Sequence, residues 1–272
     1  MTATCPISAF IITRDEEQRL PRTLEALSWV DEIVVVDSGS TDRTVEIAEA
    51  AGARVLHRDW TGYGPQKVFA EAACRHDWVL NVDADEVVTP ALAREISGLF
   101  ASGLPSPGGW RMPILTVYPG AEGPRPFAAD FNELRLYHRS IAGYRDHPVY
   151  DRVETAAGAQ VSQLMQPVWH FTVLGWAEFV EKENRHSSFL ASNQTHRRSG
   201  LGARIFVEMP WTFLKFYLLR RHITGGWRGF FFALTAAYAR TLRIAKMLEA
   251  QNDPDRQAPK STQAGDERTD LR

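Results

Sequence analysis

The chain is poor in cysteine: 272 residues contain two, Cys5 and Cys74, with no Cys-X-X-Cys or Cys/His spacing. That argues against a disulfide framework or a cysteine zinc site and suits a reducing compartment. No uninterrupted apolar run reaches the ~20 residues needed to cross a bilayer. The N-terminus lacks a basic segment followed by an apolar stretch, so no signal peptide is expected. An excess of one charge is missing too. Lys and Arg number 31 against 33 Asp and Glu, a net charge of −2, which gives no global reason to expect nucleic acid. No internal repeat is present. Residues 251–272 hold no aromatic side chain and mix both charges, the composition of a disordered tail.

What is there reads as a globular protein, 44% hydrophobic. The first hundred residues alternate apolar strands with helical patterns. PISAFIIT, DEIVVVD, RVLH and DWVLNVD predict four strands, and TDRTVEIAEAAG and PQKVFAEAAC predict helices between them. Thr89-Pro90 opens a further helix, with Pro in the first turn where a missing N–H costs nothing. Continuous apolar strands alternating with helices argue for an α/β fold, a mainly parallel sheet covered by helices on both faces. Ligands in such sheets bind beyond the carboxyl ends of the strands. The clusters TRDEE, DSGSTD and DADE each follow a strand end, so they should converge on one site. From Ser102 the pattern becomes irregular and antiparallel-leaning, with strand-like pieces at WRMPILTVY and NELRLYHR. Helical patterning resumes at Gly175 and runs to about Ala250.

Asp83, Asp85 and Glu86 crowd one turn, and neighbouring carboxylates repel unless something positive lies between them. One reading is a solvated acidic turn. A second is the Asp-X-Asp-X-Val signature of haloacid-dehalogenase-type phosphatases, although no adjacent Asp-Asp follows. A third is a divalent cation, Mn²⁺ or Mg²⁺, bridging the carboxylates to a diphosphate. DSGSTDRT is similarly open. Ser40 or Thr41 could cap a helix, or Asp37 could accept N–H donors from a nucleotide base.

TRDEE (13–17), VVVDSGSTDRT (34–44), DWTGYGPQK (59–67) and WVLNVDADEVV (78–88), in that order, resemble inverting family 2 glycosyltransferases of the GT-A fold. The likeness is in particular to lipopolysaccharide core β-1,4-glucosyltransferases. It is specific over residues 6–100 and weaker to about 250. It implies a nucleotide-sugar-binding half over 1–101, an acceptor-side half over 102–174, a helical region over 175–250 and a tail over 251–272. It also implies transfer of a sugar from a nucleotide sugar with a divalent metal. Thr13, Glu16 and Asp37 would contact the nucleoside, and Asp83 would lie near ribose and metal. Asp85 would ligate the metal. Lys67 would approach the diphosphate or base, an exposed helix lysine being the plain alternative. Asp15 and Val68 depart from the family, which usually has Asn at both places.

The same resemblance puts HPVYDRVE (147–154) where relatives carry the catalytic acid. Asp151 matches the base, Tyr150 replaces a histidine, and Glu154 is the second candidate. A surface Asp pairing with Arg145 or Arg152 is the competing reading, because sequence does not show reach. His170 in QPVWHF is either a core histidine or the residue that completes the metal shell.

At ~100° per residue, Trp227, Phe230, Phe231, Leu234, Tyr238, Thr241, Leu242, Ala245 and Leu248 share one face. Arg228, Arg240, Arg243 and Lys246 share the other, with Ile244 and Met247 as exceptions. The preceding RIFVEMPWTFLKFYLLRRH (204–222) is similarly aromatic and basic. Both suit a helix in an anionic membrane interface, or packing on protein. The expected function is therefore an inverting, metal-dependent transfer of a hexose, glucose first, from a UDP-sugar. The acceptor would be lipopolysaccharide core or another lipid-linked saccharide, at the cytoplasmic face of the inner membrane. The alternatives are the phosphatase and a non-catalytic membrane adaptor with a degenerate nucleotide fold.

Overall fold

The computed structural model describes residues 5–147, 152–192 and 200–252. The tail expected to be disordered lies outside them from residue 253, as does Asp151. The chain divides into two compact units, the first from 1–116 and 129–172, the second from 117–128 and 173–272.

The apolar runs build the first unit. β1 (Cys5–Thr13), β2 (Val30–Asp37), β3 (Arg54–His57) and β4 (Trp78–Asn81) pair in parallel in the order β3-β2-β1-β4. Side chains alternate along a strand. β1 thus sends Ile7, Ala9 and Ile11 into one core and Phe10 and Ile12 into another. The helices are α1 (Leu20–Glu25), α2 (Thr44–Ala50), α3 (Tyr63–Ala73) and α4 (Pro90–Phe100). Leu20 and Leu24, Ala48, and Leu92 and Ile96 close the first core from α1, α2 and α4; Ala70 of α3 closes the second. Burial on both faces is why β1 is mostly apolar, with Ser8 and Thr13 as its buried polar residues. Thr89 caps α4, its Oγ1 accepting from the Leu92 N–H at 3.2 Å, with Pro90 at the first helical position.

Beyond β4 the sheet becomes mixed. β5 (Glu86–Val88), β6 (Gly109–Thr116), β7 (Phe131–His138), β10 (Val161–Gln163) and β11 (Val168–His170) complete it. β7 is antiparallel to both β4 and β6, and β10 and β11 run parallel to opposite ends of β6. β5 lies antiparallel to β11, with Glu86 opposite His170. β8 (Ala142–Tyr144) and β9 (Val153–Thr155) form a separate antiparallel pair. The three-residue strands are too short to show a period, so periodicity reveals only β6 and β7 in this half.

The second unit holds α5 (Trp176–Ser192), α6 (Leu201–Leu214), a π-helical turn Lys215–Leu219, a 3-10 turn His222–Gly225 and α7 (Gly226–Asn252). Among the described residues no helix is long and apolar enough to cross a membrane. α7 packs against α5 and α6, and of the apolar face expected on it Trp227, Phe230 and Tyr238 stay exposed. Ile244 and Met247, the two exceptions to the helical wheel, are buried with Ala233, Ala236 and Ala237. Arg240 donates to Glu208 at 3.0 Å, and Lys246 donates to Asn184 Oδ1, Ser187 Oγ and Ser188 Oγ at 2.7 Å each. Arg240 and Lys246 of the basic stripe thus serve protein acceptors, because long cationic side chains reach polar groups on neighbouring helices while their stems cover apolar surface.

One buried acid ties β1, β2 and β3 together. Glu32 accepts from Ser8 Oγ at 2.5 Å, the Arg75 N–H at 2.7 Å and Arg54 at 3.0 Å. Burial alone would raise its pKa, but these donors outweigh burial and hold it below the usual carboxylate range. Its stabilising contribution is therefore full above the unfolded value, about 4.3, and is lost as pH falls through the folded value. Glu32→Gln should show a shallower loss of melting temperature than the parent between about pH 5 and pH 3; identical slopes would remove this role.

Candidate active site

The polar clusters do share one sheet edge. Thr13 and Asp37 are register partners at the carboxyl ends of β1 and β2, and Asn81 ends β4. Thr13 is buried, and its Oγ1 has no hydrogen-bond partner among the described residues. Asp37 accepts from the Gly39 and Ser40 N–H groups at 2.9 and 3.0 Å and from Ser40 Oγ. Gly39 supplies the positive φ, +90°, that this tight loop needs.

Neither Ser40 nor Thr41 caps α2, which begins at Thr44; Asp42 instead accepts from the Thr44 N–H at 2.9 Å. Ser40 and Thr41 are used across loops. The Asp15 N–H donates to Ser40 Oγ at 2.9 Å, and Asp15 Oδ1 accepts from the Thr41 N–H at 2.7 Å. Asp15 holds φ at +54°, a region in which Asn and Asp are enriched. The departure from Asn is thus accommodated, because an acceptor oxygen is what this loop takes. Glu16 receives Arg19 on both oxygens at 2.6 and 3.0 Å, and Arg19 also donates to the Thr172 carbonyl at 3.1 Å.

The acidic turn lies between β4 and β5, so strand alternation does not carry through it. Its positive partners are side chains. Lys67, 1% exposed on α3 rather than a surface lysine, donates to Asp83 at 2.9 Å and to Asn81 at 3.2 Å. Arg135, 2% exposed on β7, donates to Asp83 Oδ2 and Glu86 Oε1 at 2.9 Å each, and also to Asn81 Oδ1. Tyr144 Oη donates to the same Asn81 oxygen at 2.7 Å. The Asp83 N–H donates to Glu86 Oε2 at 2.9 Å and folds the turn on itself. Asp85 stands apart, with His170 Nε2 at 3.1 Å from its Oδ2.

The charges follow from these neighbours. Burial raises Glu86's carboxyl above its ordinary value, against the opposing pull of Arg135. Burial would lower Arg135, but Asp83 and Glu86 dominate and raise it. Burial would likewise lower His170, yet the Asp85 carboxylate outweighs it and pushes the imidazole up to about 9. Burial would raise Asp85, and the His170 charge reverses that and lowers it. His170 and Asp85 therefore stand as an imidazolium–carboxylate pair at neutral pH.

Lys67, Asp83, Asp85 and His170 are thus brought together, and Arg19, held by Glu16, also acts on Asp85. Glu154 sits on β9 as an exposed partner of Arg145. Asp151 and Tyr150 lie outside the described residues. Sequence reasoning missed Arg135, Asn81 and Tyr144. Arg135 left one trace, a charge flanked by leucines in the apolar strand NELRLYH; nothing local marked the other two.

A divalent cation can be tested against these donors. Asp83 is taken up by two cations, which leaves Asp85 and His170 side by side. Among the described residues no group of three or more His, Cys, Asp or Glu gathers to hold a metal. His170 Nδ1 is buried without a partner. One carboxylate and one imidazole fit a cation that draws its remaining ligands from a diphosphate and water.

A model of the family described as Glycosyl transferase family 2 matches residues 8–156, more than half of the chain. An uncharacterized glycosyltransferase of Rickettsia felis is 36% identical over 255 residues, 90% of each chain. The lipopolysaccharide core biosynthesis glycosyltransferase LpsC of Rhizobium meliloti is 32% identical over 260 residues, 92% of this chain and 94% of that one. Among solved structures, S. aureus TarS 1–349 in complex with UDP-GlcNAc gives a TM-score of 0.46 at 15% identity, over 93% of this chain and 92% of that chain.

Removing one partner from a buried ion pair leaves an uncompensated charge. Arg135→Ala should lower unfolding stability by about 3–5 kcal/mol in guanidinium titration. A loss below about 1 kcal/mol, the range of exposed pairs, would show that Arg135 does not hold the turn.

Proposed function

The chain belongs to glycosyl transferase family 2, and from that premise we propose that it transfers a hexose, glucose first, from a UDP-sugar with inversion and a divalent cation. The acceptor is lipopolysaccharide core or another lipid-linked saccharide, and the enzyme works at the cytoplasmic face of the inner membrane. Similarity to a lipopolysaccharide core enzyme along nearly the whole chain supports the acceptor class. As a glycosyltransferase the protein is neither the phosphatase nor the adaptor that the bare motifs allowed.

The observation that carries the reading is the division of labour in the acidic turn. Asp83 is held directly by Lys67 and Arg135, whereas Asp85 is paired with His170 and feels the Arg19 charge. Asp85 and His170 would hold the cation, which neutralises charge on the departing diphosphate when bound. Lys67 and Arg135 fix Asp83 in place beside the ribose. Thr13 and Asp37 line the nucleoside end, and Glu16 holds Arg19 near Asp85. Asp151 takes the proton of the acceptor hydroxyl as that oxygen bonds to the anomeric carbon from the face opposite the diphosphate. The bond to the diphosphate breaks, its electron pair leaves with UDP, and the configuration inverts.

Titration calorimetry with UDP, GDP and CDP, with and without Mn²⁺ or Mg²⁺, should show metal-linked binding of UDP that disappears in Asp85→Asn. Binding of no nucleotide under any metal condition would overturn the reading. Asp151→Asn should keep UDP affinity while kcat falls by about 10²–10⁴, with Glu154→Gln close to the parent. The opposite pattern would assign the base to Glu154.

A further inference from the structure

The second unit exposes an unusual amount of apolar surface. Phe206 is 81% exposed, Trp211 62% and Leu219 72%, with Val207, Leu214 and Leu218 exposed beside them in sequence on α6 and its π-helical extension. Single exposed apolar residues are normal, but a concentration of this kind marks an interaction surface. The π turn shapes its end. The Arg220 N–H donates to the Lys215 carbonyl five residues back, at 2.9 Å, and Leu218, Leu219, Arg220 and Arg221 emerge together as exposed residues. The turn is pinned within the unit: Thr224 Oγ1 donates to the Pro126 carbonyl at 2.7 Å, and the Arg221 guanidinium lies 5.8 Å from the ring centroid of exposed Phe127.

Charge indicates the occupant. Residues 201–248 contain eight Lys and Arg and one acid, Glu208. Glu208 is buried and taken up by Arg204 and Arg240 at 2.8 and 3.0 Å. No acid remains on the exposed apolar stretch, and Arg220 and Arg221 stand at its end. A second copy meeting it about a two-fold axis would bring like charges together, whereas an anionic surface is complementary.

We propose that α6 and its π-helical extension form a lipid-insertion edge seated on an anionic bilayer. Phe206, Trp211, Leu214 and Leu219 enter the acyl boundary, and Arg220 and Arg221 meet headgroup phosphates. α7 packs against α6, and its Arg240 is spent on Glu208 of that helix. The inference rests on the proposed membrane-associated acceptor and names the surface and the lipid chemistry that would serve it.

Flotation of the full chain with vesicles of phosphatidylethanolamine and phosphatidylglycerol at 3:1, against phosphatidylcholine alone, tests it. The parent should float with the anionic vesicles. Arg220→Gln and Arg221→Gln should each weaken binding about fivefold. Combined Phe206→Ser, Trp211→Ser and Leu219→Ser should weaken it more than about tenfold. As a check independent of these variants, an environment-sensitive dye on Phe206→Cys should shift to the blue on vesicles, and the same dye on Glu181→Cys should not. Flotation of the parent with variants equal to it and no dye shift would overturn the edge but leave membrane association standing. No flotation of the parent would remove both. A dimer in sedimentation that the serine variants dissociate, without vesicle binding, would give the surface to a second copy and overturn the proposal.

Discussion

Three carboxylates within four residues of one turn must be neutralised before the chain can fold there. Asp83, Asp85 and Glu86 come from one short segment, but their partners come from three others: Lys67 from α3, Arg135 from β7 and His170 from β11. Meeting that requirement docks α3 on one side of the turn and brings the antiparallel half of the sheet to the other. The pairing is also unequal. Asp83 and Glu86 share Arg135 in a nearly closed network with Asn81 and Tyr144, while Asp85 is hydrogen-bonded to His170 and acted on by the Arg19 charge. A buried ion network resists change because removing one member strands the others. The Asp85–His170 pair lies outside that network, and it is there that the proposed cation would bind.

The backbone around the site shows the same economy of acceptors. The loops after β1 and β2 are sewn together by Asp15, Ser40 and Thr41, and Asp42 receives the Glu17 N–H at 3.1 Å. Gly64 lets the first turn of α3 lie against the backbone carbonyls of Arg145 and His147, where a Cβ would not fit. The helix that carries Lys67 to Asp83 is therefore also packed on the segment leading towards residue 151. Donor-side and acceptor-side parts of the proposed reaction share one support.

In the second unit, helical periodicity grouped the apolar side chains of α7 but did not show which of them a neighbour covers: Trp227, Phe230 and Tyr238 are exposed. Ile244 and Met247 pack with Leu201 and Ile205 of α6 and Ala191 of α5, and Arg240 and Lys246 find acceptors next door. Exposed apolar side chains lie on both helices, Phe206, Val207, Trp211 and Leu214 on α6 and Trp227, Phe230 and Tyr238 on α7. A helical wheel orders residues around an axis but does not say which sector a neighbour covers.

The sequence by itself determined the parallel strands, the helices between them and the family, because continuous apolar runs, turn residues and four ordered motifs are local signals. It also placed TRDEE, DSGSTD and DADE at one edge, since strand ends in such a sheet share a side. Tertiary structure decided which charges meet. Arg135 lies 52 residues from Asp83 and His170 lies 85 from Asp85. Their positions come from strand register, the three-residue pairing of β5 with β11 and the antiparallel entry of β7 beside β4. Register between distant strands is set by packing on both faces of the sheet, and no single segment carries that information.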